Sequence, residues 1–134
     1  MKEIEKMDKK LISTGAIFGM LAIIFGAFGA HALKKVLSIE QLTTFETGVR
    51  YQMYHALFLL FIGLIPSLSE KTKKIIYNLI FLGVIFFSGS IYLLATNDLM
   101  AFDFKVIGFV TPIGGLLLIL GWAVLLYHFL KKKR

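Results

Sequence analysis

The sequence predicts an all-α integral membrane protein with four transmembrane helices, an amphipathic interfacial helix between the first and the second, and both termini in the cytoplasm. Hydrophobic residues make up 57% of its 134 residues, and the mean hydropathy is +0.79, more apolar than an ordinary soluble domain. These residues cluster into long runs without charge, whereas the basic residues lie in tails and short connections. The length fits a single membrane domain, residues 1–134.

Four apolar segments define the predicted spans. Uncharged runs at 11–30, 75–97 and 106–127 each reach the roughly 20 residues that a helix needs to cross a hydrocarbon core about 30 Å thick. A fourth run, 56–65, is long enough only if the residues before it join the same helix, with tyrosines at the headgroup level. The predicted spans are about 11–32, 51–66, 75–96 and 106–128.

The first span has small residues spaced by four, three, four and three positions, which keeps them on one helical face. They are Gly15, Gly19, Ala22, Gly26 and Gly29. Such a face lets another backbone approach closely, which matters in lipid because apolar surface alone gives no preference for protein over lipid tails. The pattern predicts close packing, either within the bundle or between copies of the chain.

The amphipathic helix is predicted over about 39–50. Ser38 and Gln41 have the spacing of a capping box, which marks the start of a helix. Apolar residues then recur at helical spacing, at Ile39, Leu42, Phe45, Val49 and Met53. We expect this helix to lie at the membrane surface or to lean into the bundle, with Gly48 allowing a bend into the second span.

Small residues in the third and fourth spans also predict helix packing. Ser88 and Ser90 lie in the middle of the third span, where a hydroxyl can bond to the carbonyl one turn earlier. Pro112 lies early in the fourth span and is followed by Gly114 and Gly115. The proline predicts a kink, and the glycines predict close contact across it.

The distribution of lysine and arginine predicts the orientation. With four spans, eleven of these residues lie on the side of both termini and four on the other side, so the positive-inside rule places both termini in the cytoplasm. The same rule explains the net charge of +7 without a nucleic-acid partner. The lack of cysteine excludes disulfides, thiolate metal sites and cysteine nucleophiles.

Four blocks of the sequence resemble a known family. They are Gly26-Ala-Phe-Gly-Ala-His-Ala-Leu33, Phe45-Glu-Thr-Gly-Val-Arg-Tyr-Gln-Met-Tyr-His55, Phe87-Ser-Gly-Ser-Ile-Tyr-Leu-Leu94, and Thr111-Pro-Ile-Gly-Gly115 with Gly121-Trp122. Over about residues 11–127 the chain resembles the YgdD/YwdK-type family, a domain of unknown function with eukaryotic transmembrane relatives. The resemblance implies a small multi-span inner-membrane protein, and it implies no reaction, substrate or catalytic residue.

Polar residues are concentrated at the predicted boundary between the first two spans. They are His31, Glu46, Arg50, Tyr51, Tyr54 and His55. Glu46 precedes Arg50 by four residues, the favourable order for a helical ion pair. Because ionisable groups near lipid are costly without partners, we predict that this polar cluster is a hydrogen-bonded clamp that holds the amphipathic helix against the bundle.

Other roles for these residues remain open. Histidine titrates near neutral pH, so the cluster could form a proton or solute path. A metal site is less favoured because no compact ligand spacing is present, and a lipid headgroup could bind at Lys34, Lys35 and Arg50.

The sequence therefore predicts a non-enzymatic membrane protein that binds, assembles or stabilises membrane lipids or another membrane protein, which could be a second copy of itself. No catalytic residue, metal or cofactor is expected. The alternative is a small transporter or proton-coupled channel that uses His31, Glu46, Arg50 and His55. An enzyme that acts on lipids is the least favoured class.

Overall fold

The computed structural model describes residues 6–131, in which all regular structure is helical. The helices are α1 (Lys6–His31), α2 (Ile39–Gly63), α3 (Glu70–Val84), α4 (Ser90–Ala95) and α5 (Val110–Lys131). A π-helical turn, Ile85–Gly89, joins α3 to α4, and 3-10 turns lie at Leu33–Lys35, Asn97–Leu99 and Phe104–Ile107. The predicted all-helical fold is confirmed for this part of the chain.

Within residues 6–131, three segments are long and apolar enough to cross a membrane, not the four predicted. They are Lys6–Lys35, Glu70–Ala95 and Phe104–Lys131. The predicted span at 51–66 overlaps the second half of α2 and runs three residues past its end at Gly63, and α2 does not meet this criterion. The first half of α2 carries Glu40, Glu46 and Arg50 together with several threonines, and these residues lower its hydropathy.

α2 is one continuous helix rather than an interfacial helix followed by a span. Its capping box forms: the Gln41 backbone N–H donates to Ser38 Oγ at 3.1 Å, and the Ser38 N–H donates to Gln41 Oε1 at 2.9 Å. Gly48 does not end or interrupt this helix. A Cβ at Gly48 would lie 2.8 Å from the Tyr92 ring, so this glycine allows α4 to approach.

α2 runs antiparallel to α1 along most of its length. A Cβ at Gly29 would lie 3.3 Å from the Phe45 ring, and one at Gly15 would lie 2.8 Å from the Ala56 carbonyl oxygen. The glycine face of α1 is therefore occupied by α2 of the same chain, and no room is left there for a second copy. α2 therefore covers the same stretch of the bundle axis as the apolar α1.

α5 packs equally closely against α3 and the π turn. A Cβ at Gly114 would collide with the backbone of Phe87, and one at Gly83 would lie 2.6 Å from the Leu118 side chain. Pro112 is the third residue of α5. At that position the backbone N–H of any other residue would have no partner within the helix. The predicted kink therefore has no cause here, because the proline removes no helical hydrogen bond.

The end of the bundle near Lys6 is held together by polar contacts between α1 and α3. Lys73 Nζ lies 2.7 Å from Asp8 Oδ1, and the two side chains are only 6% and 19% exposed. One turn further along α3, the hydroxyls of Tyr77 and of Thr14 on α1 are 2.9 Å apart. These contacts fix the register of α3 against α1.

Candidate functional site

Gln52 connects three helices near the middle of the bundle. Its side-chain Nε2 donates to the Phe18 carbonyl at 2.8 Å, and its Oε1 accepts from the Tyr92 hydroxyl at 2.6 Å. Phe18 lies halfway along the 26 residues of α1, so this bridge is far from both ends of the bundle. Gln52 is 4% exposed, and both ends of its amide are used, as a buried polar group requires.

His55 joins α2 to α5. The Trp122 indole N–H donates to His55 Nε2 at 3.0 Å, and His55 Nδ1 lies 2.7 Å from the Tyr51 carbonyl oxygen. Because an indole nitrogen is only a donor, Nε2 must be the acceptor. The ring is therefore neutral, with its proton on Nδ1 donated to Tyr51, and the Trp122 ring also lies 4.1 Å from that of Phe58.

Hydroxyl groups complete this set of contacts. Ser88 Oγ donates to the Gly48 carbonyl of α2 at 2.7 Å. Ser90 Oγ donates to the Phe87 carbonyl at 3.0 Å and lies 2.5 Å from Thr111 Oγ1 of α5. Ser88 thus bonds to another helix instead of the preceding turn of its own. We call the residues whose side chains make these contacts the polar layer: Gln52, His55, Ser88, Ser90, Tyr92, Thr111 and Trp122.

The structure does not bring the predicted cluster of His31, Glu46, Arg50 and His55 together. His31 and Glu46 are exposed, whereas His55 is 4% exposed. Arg50 Nη2 donates to Thr47 Oγ1 at 3.2 Å, and among the described residues no ion pair joins Glu46 to Arg50. At 3.6 residues per turn, Arg50 points about 140° away from His55, so the two side chains leave α2 on opposite faces.

Tyr51 and Tyr54 remain beside each other at the edge of the polar layer. Their ring centroids are 5.4 Å apart, and the Tyr51 ring lies 5.1 Å from that of Phe87. Both side chains are partly exposed, at 39% and 51%. Their side chains cover the layer from the side and make no described hydrogen bond to it, although the Tyr51 backbone carbonyl accepts one from His55.

Sequence reasoning missed Gln52 and Tyr92, although a signal for Gln52 was present. Phe45, Gly48, Gln52 and His55 follow one another at intervals of three or four residues and form the buried face of α2. Of the predicted apolar stripe, Phe45 is buried and Leu42, Val49 and Met53 pack against the core, whereas Ile39 at the start of the helix is 86% exposed. The small size of Gly48 is what distinguishes the buried face.

An apolar cavity of about 370 Å³ lies toward the end of the bundle far from Lys6. Its lining residues are Phe25, Phe28, Leu33, Phe45, Tyr92, Leu93, Thr96, Leu99 and Met100. The Tyr92 ring lies 5.1 Å from that of Phe25 and 4.9 Å from that of Phe45. Because the Tyr92 hydroxyl bonds to Gln52, the cavity ends at the polar layer.

Two hydroxyl groups line this cavity, and both are already bonded within the protein. Tyr92 donates to Gln52, and Thr96 Oγ1 donates to the Tyr92 carbonyl at 2.8 Å. Lys34 and Lys35 follow the lining residue Leu33 in the same 3-10 turn and are exposed. The cavity is thus apolar inside and basic next to its Leu33 wall.

The loop that carries Leu99 and Met100 is ordered by side-chain contacts. Gln41 Nε2 donates to Asp98 Oδ2 at 2.9 Å, and the Asn97 side chain bonds to Asp103. The backbone N–H of Lys105 donates to Asp103 Oδ1 at 3.1 Å. This bond, followed by the bond from Asn97, lowers the pKa of the Asp103 carboxyl group.

Within residues 6–131, no group of three or more histidine, aspartate or glutamate side chains is arranged to hold a metal ion. The hydroxyl groups of the polar layer are bonded to backbone carbonyls, to the Gln52 amide and to each other.

Comparison with known proteins identifies relatives along most of the chain. A family model described as "Protein of unknown function (DUF423)" matches residues 25–115. The "UPF0382 membrane protein" of Staphylococcus saprophyticus is 44% identical over 87% of this chain and 93% of its own length. That of Haemophilus influenzae is 34% identical over 95% of this chain and 98% of its own length. No solved structure matches.

Proposed function

Because this chain belongs to the DUF423 family of membrane proteins, we propose that it is a non-enzymatic lipid-binding protein whose site is the apolar cavity. The family description gives no activity, so the proposal rests on the cavity itself. Its volume of about 370 Å³ is within the 300–1,000 Å³ of typical ligand sites.

The chemistry of the cavity favours a hydrocarbon chain over a polar solute. Tyr92 and Thr96 supply its hydroxyls, and both already have partners inside the protein. A polar solute would leave its own hydrogen-bonding groups unpaired against the apolar walls, which costs free energy. A lipid chain has no such groups, and its burial is favoured by close contact with the aromatic walls.

The charge beside the cavity favours a lipid with an anionic headgroup. Lys34 and Lys35 lie next to Leu33 and are exposed, so a chain in the cavity could place its phosphate near both ammonium groups. The acidic Asp98 precedes the lining residue Leu99 in the chain, and its carboxylate accepts from Gln41. Arg50 is not part of this proposal, since it projects from the far face of α2.

A non-enzymatic role is supported by the polar layer. Its hydroxyls bond to carbonyls, to the Gln52 amide or to each other, and none of these described bonds pairs a hydroxyl with the His55 ring. A nucleophile needs such a base within reach. Proton transport is the less favoured function, because both nitrogens of His55 are used and the predicted ionisable cluster is dispersed.

Inner-membrane location, several spans and cytoplasmic termini remain part of the proposal. α2 returns the chain to the end at which α1 begins, as the approach of Gly63 to Leu11 shows. Lys71, Lys73 and Lys74 lie at that same end. The described basic residues are more numerous there than near Lys34 and Lys35, which agrees with the positive-inside rule.

The experiment is native mass spectrometry of the delipidated protein with added phosphatidylglycerol or phosphatidylcholine. We expect preferential retention of phosphatidylglycerol. Leu99→Trp should fill the cavity from its exposed rim and abolish retention, whereas Leu64→Trp, an exposed site outside the cavity lining, should not. Equal retention by both tryptophan variants would contradict the cavity as the site.

The headgroup is tested separately by neutralising charge. Lys34→Gln with Lys35→Gln should remove the preference for phosphatidylglycerol while leaving some retention of either lipid. Lys71→Gln with Lys74→Gln removes the same charge at the other end of the bundle and should leave the preference unchanged. Flux of protons into proteoliposomes that His55→Ala abolishes would instead favour the transporter.

A further inference from the structure

The exposed face of α2 is poorly suited to lipid. Thr43, Glu46, Arg50 and Tyr54 follow one another at intervals of three or four residues and are all exposed. This part of α2 lies at the level of an apolar part of α1, since a Cβ at Gly26 would lie 3.5 Å from the side chain of Val49, the residue before Arg50. Polar and charged groups at this level are costly in contact with lipid tails.

The two charges on this stripe have no charged partner among the described residues. The salt bridge that the described residues form joins Lys73 to Asp8, and it lies at the opposite end of the bundle. Arg50 donates one hydrogen bond, to the Thr47 hydroxyl, although a guanidinium group has five N–H donors. Glu46 is exposed and makes no described side-chain hydrogen bond.

We propose that this stripe binds the same stripe of a second copy of the chain. A two-fold axis brings identical surfaces together, so each residue i that meets residue j is matched by j meeting i. Glu46 and Arg50 lie about 6 Å apart along the helix axis, a separation that their long side chains can bridge. In such a dimer, Glu46 of each copy pairs with Arg50 of the other, and both charges are satisfied.

The rest of the stripe suits the same partner. Leu57 and Phe61 continue it toward the end of α2 and are 56% and 63% exposed, so they supply apolar contact beside the reciprocal ion pairs. The glycine face of α1 is unavailable because Ala56 and Phe45 of the same chain occupy it. The pattern is self-complementary in charge, which is why a second copy fits it without any other protein.

The first test is a charge-exchange cycle in lipid nanodiscs and detergent, with oligomeric state measured by sedimentation. The wild-type chain should be dimeric. Glu46→Arg or Arg50→Glu alone turns each reciprocal attraction into repulsion and should raise the dimer Kd on the order of tenfold. Combining both substitutions should restore the wild-type Kd, because the pairs re-form with opposite sign.

The second test uses the absence of cysteine from the sequence. Tyr54→Cys, on the stripe, should give a disulfide-linked dimer under mild oxidation. Ile23→Cys, on α1 and at least as exposed, at 66% against 51% for Tyr54, should stay monomeric on a denaturing gel. These positions are on the surface, so thermal melting should confirm that each variant folds.

Several outcomes would overturn the proposal. A monomeric wild-type chain in both media would do so, as would a dimer that Glu46→Arg does not weaken. If both single variants lose binding and the double variant does not recover it, Arg50 binds a lipid phosphate or another protein. None of these results bears on the cavity, which lies between α1 and α4.

Discussion

Replacing Gly114 with alanine tests whether α5 and the π turn meet backbone to backbone. The new Cβ would collide with the Phe87 nitrogen and lie 2.7 Å from the Phe86 carbonyl carbon. Ordinary contact begins at 3.4 Å, so the helices would have to separate by at least about 0.7 Å. Backbone atoms cannot rotate away as a side chain can, and the whole of α5 must move.

Gly115 supplies a matched control one residue later. A Cβ there would lie 3.5 Å from the Phe87 ring, which is ordinary contact. Both substitutions gain the same helix propensity, about 1 kcal/mol for alanine over glycine. Overpacking costs about 1–3 kcal/mol, and the rigid backbone contact at Gly114 places its cost at or above the upper end.

We therefore expect Gly114→Ala to be less stable than Gly115→Ala by about 3 kcal/mol. The assay is thermal melting of both variants in one detergent at one scan rate, with Trp122 fluorescence as the recorded signal. With about 4 °C per kcal/mol for a chain of this size, the two melting temperatures should differ by roughly 12 °C. Equal melting temperatures would refute the backbone contact and the helix positions that it defines.

Three further predictions concern polar contacts. Gln52→Leu should cost about 1–3 kcal/mol because it leaves the partly buried Tyr92 hydroxyl unpaired, and adding Tyr92→Phe should recover part of that loss in a double-mutant cycle measured by thermal melting. Lys73→Met should lower stability by about 2–3 kcal/mol, since Asp8 then stays partly buried without its partner; Asp8→Asn in the same background should restore part of it. The loop contacts of Asp103 should be lost as pH falls: its folded pKa is lowered, so their contribution is present above the unfolded pKa and disappears as pH drops through the folded one. Amide hydrogen exchange of the loop should show this loss, and Asp103→Asn should remove its pH dependence.

The sequence predicts the helices better than it predicts their contacts. Uncharged length identifies α1, α3 with α4, and α5, and the Ser38 capping box gives the first residue of α2. The apolar spacing of α2 gives only part of its inward face, however, because Gly48, Gln52 and His55 are buried beside Leu42, Phe45 and Val49. Only the neighbouring helices decide how far this face extends, and these contacts depend on residues far apart in the chain.

The π turn illustrates the same limit. Nothing in the residue types of Ile85–Gly89 distinguishes a π-helical turn from an α-helical one, and the glycine that packs against this turn, Gly114, lies in another helix. The family match confirms a membrane protein of the DUF423 type, as the resemblance implied, without testing the narrower YgdD/YwdK name. Family membership supplies no contact, so the positions of Gln52 and Tyr92 follow from the fold alone.

Tyr92 belongs to both the polar layer and the cavity, so the layer should influence lipid binding through this residue. Its hydroxyl bonds to Gln52, and its ring forms part of the cavity wall. Gln52→Leu releases that hydroxyl, whereas Trp122→Phe removes the bond to His55 on the α5 side of the layer. Each variant loses side-chain hydrogen bonding at a similar level of the bundle, yet only the first frees the cavity wall. We expect phosphatidylglycerol retention to fall in Gln52→Leu and to persist in Trp122→Phe when both are measured by native mass spectrometry below their melting temperatures. Equal retention in the two variants would mean that the Gln52 bond supports the bundle without shaping the cavity.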